Sequence, residues 1–93
     1  MTSKSLHPVV ADLAPIEPIP TPYDEQHVVT YLRLLDAETE QADWEEATRL
    51  ILRIDPTAEP DRARRAFDSH LARAKWLTSQ GYPYLLRART YRS

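Results

Sequence analysis

Cysteine is absent from all 93 residues, which excludes a disulfide framework, a thiolate zinc site and a thiol nucleophile. Glycine occurs once, at Gly81, so no glycine-rich loop can cradle a phosphate. Apolar runs stop at three residues, as in Leu50-Ile51-Leu52, far short of the roughly 20 that a membrane-spanning helix needs. Met1 to Lys4 lead into Leu6-His7-Pro8 rather than an apolar stretch, so no secretory signal is expected and a cytoplasmic location is. At this length the chain predicts one small domain.

Proline is the residue in excess. Five of the eight prolines fall at Pro8, Pro15, Pro18, Pro20 and Pro22. Each removes a donor and restricts its predecessor to extended conformations, which predicts a Pro-rich flexible arm over 1–21 without helix or sheet. Val9, Val10, Leu13, Ile16 and Ile19 punctuate it. It is therefore either a tail, a strap lying on its own domain, or a segment that orders on a partner.

The formal net charge of −2 hides a division. Residues 1–61 carry 13 acids and four bases, a balance of −9; residues 62–93 carry eight bases and Asp68 alone, a balance of +7. The second part would attract a phosphate backbone and the first would repel it. A protein of mixed charge would match both. The plainer alternative is that the halves neutralise each other within the domain.

From Pro22 the apolar period becomes helical. Thr21 as cap, Pro22 in the first turn and the acids Asp24 and Glu25 mark a start, and Val28, Tyr31, Leu32 and Leu35 form one stripe, predicting a helix over 22–37. Asp43 caps a second helix over 43–54, in which Trp44, Ala47, Leu50, Ile51 and Ile54 face inward. Its outer face carries Glu45, Glu46, Arg49 and Arg53, with Glu45–Arg49 as an ion pair, and Asp55-Pro56 ends it. A third helix over 60–79 turns Ala63, Ala66, Phe67, His70, Leu71, Ala74 and Leu77 inward, and Gly81 suits its left-handed cap. Tyr82, Tyr84, Leu85 and Leu86 around Pro83 suggest a short final helix. The expectation is all-α: a small bundle of three main helices plus a short C-terminal helix.

Opposite the apolar stripe of the third helix lie Arg65, Ser69, Ala72 and Trp76, where two small residues between an arginine and a tryptophan let another surface approach closely. Arg62, Arg64 and Arg73 flank this face. Leu34 and Leu52 are expected to be exposed. Catalysis is not expected. His7, His27 and His70 share no metal-ligand spacing, His70 falls in the core stripe, and Glu45/Glu46 sit on a solvated face where nothing raises a carboxylate pKa. Neither a cofactor nor a small-molecule substrate is implied.

Two helices joined by a short turn, the second longer and arginine-bearing, outline a helix-turn-helix. The run His70-Leu71-Ala72-Arg73-Ala74-Lys75-Trp76-Leu77, followed by Gly81-Tyr82-Pro83-Tyr84-Leu85-Leu86-Arg87, resembles the closing signature of the proteobacterial domain-of-unknown-function family 2285. Leu34-Leu35-Asp36-Ala37 and Asp43-Trp44-Glu45-Glu46-Ala47 fall where that family has its Leu-Asp element and its capped second helix. The resemblance covers about residues 28–88. It implies a helix-turn-helix-like domain over 22–88, with 89–93 as a basic tail.

It also implies a regulator of transcription in the transfer of integrative and conjugative elements. Standalone members act as antiactivators, binding a LuxR-type quorum-sensing regulator and an excision activator of the same family. Two functions are compatible with the resemblance. The first is an antiactivator that grips transcriptional activator proteins through Glu45, Glu46, Arg49, Arg62, Arg65, Ser69, Ala72, Arg73 and Trp76. The second is a DNA-binding regulator that places helix 60–79 in the major groove with Arg62, Arg64 and Arg65 on the bases. Glu45 stands where the family carries a basic residue, and Ala66-Phe67-Asp68-Ser69-His70 interrupts its arginine-rich helix, so the first is favoured and DNA binding is expected to be weak or absent.

Overall fold

A computed structural model describes residues 9–80. Within them the chain is all-α: α1 (Pro22–Gln26), α2 (Val28–Thr39), α3 (Trp44–Ala47) running on into one π-helical turn (Thr48–Leu52), and α4 (Pro60–Ser79), with no strand among the described residues. The expected glycine cap at Gly81, the short helix around Pro83 and the basic tail lie outside the described residues.

The first expected helix is divided. Thr21 and Asp24 form a reciprocal capping box that starts α1. His27 then leaves the helical region at φ −114°, ψ 23°, and α2 restarts after it. The His27 ring stacks on Tyr23 with centroids 3.9 Å apart, and its nitrogens face the carbonyls of Tyr23 (2.8 Å) and Val9 (3.1 Å). Side-chain bonding to backbone competes with helix continuation at this residue.

The second expected helix differs more. Asp43 caps it by accepting from the Glu46 amide, but the Thr48 hydroxyl bonds back to the Trp44 carbonyl at 2.7 Å, and from Thr48 the helix widens into the π turn. The buried and half-buried residues Trp44, Ala47, Thr48, Ile51 and Leu52 follow the helical i, i+3, i+4, i+7, i+8 spacing, on a face turned away from the expected one. Leu50, expected inward, is 59% exposed, whereas Leu52, expected outward, is 3% exposed. The expected Glu45–Arg49 ion pair is not formed. Arg53, in the left-handed region at φ 63°, ends the helix before Asp55-Pro56.

The third expected helix matches α4 from Pro60 to Ser79. Ala63, Ala66, His70, Ala74 and Leu77 are buried along it, and so is Arg73. One core cluster joins Leu34 to Val10, Leu52, Ile54, Ala63 and Ala66; a second joins Val28 and Tyr31 to Ala74 and Leu77. Leu34, expected on the surface, is fully buried in the cluster that α4, the α3–π-turn unit and Val10 of the N-terminal segment form around it.

Residues 9–21 are thus not a free arm. They run as an extended strap over the helices. Val10 and Ala14 are buried, and the strap is held by side chains of α1 and α4.

Helix α2 closes in a Schellman turn, with the Ala42 amide donating to the Ala37 carbonyl and the Gln41 amide to that of Glu38. Gln41 occupies the left-handed position at φ 58°, which glycine takes without steric cost. Gln41→Gly is expected to raise stability by about 0.5–1 kcal/mol, read as a higher urea midpoint at unchanged m-value.

Candidate functional site

The face of α4 singled out in the sequence is approached closely, but by the chain's own strap. The Ser69 hydroxyl accepts from the Ala14 amide at 3.1 Å, and Ala14 to Pro18 form one wall of a cleft whose other wall is Ser69, Ala72, Arg73 and Trp76. The small residues predicted to admit another surface do admit one.

Arg73, expected at the surface, is buried at 5% exposure. Its Nη2 and Nε donate to the two Asp24 carboxylate oxygens at 2.7 and 3.1 Å. Its Nη1 donates to the Glu17 carbonyl (2.7 Å) and Nη2 also to the Ile19 carbonyl (2.8 Å), while the guanidinium lies 4.3 Å over the Trp76 ring. Asp24 in turn accepts from the Tyr31 hydroxyl (2.7 Å) and from the Thr21 amide and hydroxyl. Burial pushes the Asp24 pKa up, but the hydrogen bonds from Arg73, Tyr31 and Thr21 outweigh it and hold the carboxyl below its ordinary value. Burial and the bond to Asp24 drive the Tyr31 hydroxyl well above its own.

The other α4 arginines are engaged too, with one exception. Arg62 bonds Asp12 of the strap at 2.7 Å and Glu59 at 3.1 Å. Arg64 pairs with Asp68 at 3.2 Å and lies over Trp44 at 4.6 Å. Arg65 is exposed and, among the described residues, forms no ion pair.

His70 is a packed histidine. Its Nδ1–H donates to the Ala66 carbonyl at 2.8 Å, which leaves Nε2 to accept from the Tyr23 hydroxyl at 2.6 Å; that hydroxyl accepts in turn from the Ala11 amide at 2.9 Å. The chain of bonds uses neutral imidazole, and burial holds the His70 pKa below its ordinary value.

Glu45, Glu46 and Arg49 are exposed, as expected. Of the three, Glu46 lines an open groove of about 400 Å³ between α2 and the α3–π-turn unit, and Glu45 and Arg49 do not. Arg33, Asp36 and Glu40 of α2 line one side and Glu46 the other, over Ala37, Ala47, Leu50 and Ile51. Sequence reasoning missed Asp36, Glu40 and Leu50 as members of this site. The Asp36/Glu40 spacing was a usable signal, and so was the i, i+3, i+4, i+7, i+8 spacing of Trp44, Ala47, Thr48, Ile51 and Leu52, which leaves Leu50 outward.

A scan against protein-family models finds no match, and neither does a search of curated proteins. The class that the fold defines is a small all-α bundle with an N-terminal strap.

Two outcomes are expected from the Asp24–Arg73 centre. Arg73→Ala, which strands a buried carboxylate, lowers stability by about 3–5 kcal/mol in urea denaturation. Stability also falls on acidification. The unfolded chain binds a proton at His70 below about pH 6.5 that the folded chain resists, so stability declines from there, and declines further as Asp24 is forced to protonate below 3.8. Thermal melts between pH 7.5 and 3, a range of about four units chosen to span both groups, read the sign directly.

Proposed function

We propose that this chain is a helix-turn-helix-like antiactivator of the kind found in domain-of-unknown-function family 2285. It binds transcriptional activators, a LuxR-type quorum-sensing regulator and an excision activator of its own family, and stops them driving transfer of a conjugative element. The partner and family parts of this reading come from the sequence resemblance. The observation that carries the choice of a protein partner over DNA is the state of the α4 cations. Arg62 and Arg64 are spent on Asp12, Glu59 and Asp68, and Arg73 is buried on Asp24.

A recognition helix works with free cations at its N-terminal end, since each neutralised phosphate releases counterions. Here Arg65 alone is available among the four α4 arginines, and Ser69 and Ala72 lie along the strap. By contrast the α2–α3 groove presents exposed carboxylates beside an exposed leucine. That surface repels DNA and suits a basic protein surface. Major-groove reading by α4 is therefore the weaker alternative.

The test is a gel-shift assay on labelled promoter DNA. The chain alone is expected to leave the DNA unshifted at low salt, and adding it to a LuxR-type activator bound to that DNA is expected to release the activator. Glu46→Arg is expected to weaken release by roughly tenfold, as charge reversal at a steering surface does. A shift by the chain alone with a steep salt dependence, abolished by Arg65→Glu, would instead support DNA reading.

A further inference from the structure

The α2–α3 groove combines an exposed leucine with a mainly acidic rim. Leu50, which lines it, is 59% exposed. Beside it Ile51 is half-buried, continuous with the core cluster. Asp36, Glu40 and Glu46 rim this apolar floor and Arg33 is the single cation there; all four are exposed and none forms an ion pair among the described residues. A ligand that matches this surface covers Leu50 while supplying cations to the rim.

We propose that this groove takes a basic amphipathic helix of a partner protein: one apolar stripe laid on Leu50 and Ile51, flanked by arginine or lysine facing Asp36, Glu40 and Glu46. This rests on the protein-binding reading above and names the partner element that the site accepts. Helix-in-groove recognition reads apolar anchors at i, i+3, i+4 and i+7, and the groove, lying between two helical elements, offers Leu50 and Ile51 to such anchors. The rim charges set the sign of the partner and the rate of encounter, while the leucine supplies the affinity.

A second copy of this chain is a poorer occupant. The described surface offers few large exposed apolar residues outside the strap, namely Val29 and Leu50, and the strap that carries the rest holds acids and no base between Val9 and Thr21. Its carboxylates would meet the groove's own.

The probe is a synthetic helical peptide with leucines at i, i+3, i+4 and i+7 and arginines elsewhere, titrated into the full 93-residue protein labelled with nitrogen-15. Amide shifts are expected to concentrate at Ala37, Ala47, Leu50 and Ile51. Affinity is expected to fall with salt, and a peptide with glutamate in place of arginine is expected to leave the spectrum unchanged. Leu50→Asn is expected to weaken the basic peptide roughly tenfold without lowering the melting temperature, because the side chain is already exposed. Glu40→Lys with Glu46→Lys is expected to weaken it as much again, by removing the steering charge.

Shifts that map to the strap or to α4, equal binding of the glutamate peptide, or no binding at all would overturn the proposal. The antiactivator reading has its own readout. Release of an activator that survives Leu50→Asn would keep that reading and refute the groove. Peptide binding at the groove without activator release would do the reverse.

Discussion

The Asp24 carboxylate gathers Arg73 from α4, Tyr31 from α2 and Thr21 at the end of the strap, and Arg73 extends the set to the carbonyls of Glu17 and Ile19. The proline-rich segment lacks the amide donors for sheet and the conformations for helix, so its carbonyls need partners from elsewhere. A buried guanidinium with donors to spare is such a partner. Desolvating two charges costs much of what their attraction returns, so the value of the pair lies in fixing one seat for the strap more than in net stability. Val10 and Ala14 then find their places against α2 and α4 as a consequence.

This arrangement also explains where the divided charge goes. The acidic first part and the basic second part meet through Asp12–Arg62, Asp24–Arg73 and Glu38–Lys75, each joining residues far apart in sequence. Neutralisation within the domain, the plainer of the readings open from the sequence, accounts for these pairs. Asp36, Glu40 and Glu46, which form no ion pair among the described residues, line the α2–α3 groove. That groove is therefore mainly acidic, with Arg33 as its one lining cation, although the chain as a whole is nearly neutral.

Much of the fold was legible. The Thr21 cap, the Asp43 cap and the full length of α4 arise from residue patterns with local causes. What escaped was non-local. The His27 ring at the break reaches the Val9 carbonyl, 18 residues away, and Leu34 is buried in a cluster that joins Val10 to residues of the α3–π-turn unit and α4. A helical wheel places Arg73 beside the apolar stripe but cannot show that Asp24 and a strap will enclose it. The π turn at Thr48 was hidden for a different reason, since a threonine in a helix signals no particular widening; the exchange of Leu50 and Leu52 arises because Thr48, rather than Leu50, completes the inward stripe with Ala47, Ile51 and Leu52. Of the candidate site, the acidic face of Glu45 and Glu46 was read from the sequence, whereas the α4 face with Ser69, Ala72, Arg73 and Trp76 proved to be the seat of the strap.

Amide hydrogen exchange of the unmodified protein addresses the anchored strap most directly. The Ala11 amide bonds Tyr23, the Ala14 amide bonds Ser69, and the Thr21 amide bonds Asp24. If Asp24 and Arg73 fasten the strap, these amides exchange slowly, with protection approaching that of the buried residues of α4. Exchange of all of them at the rate of an unstructured chain, while α4 stays protected, would contradict it.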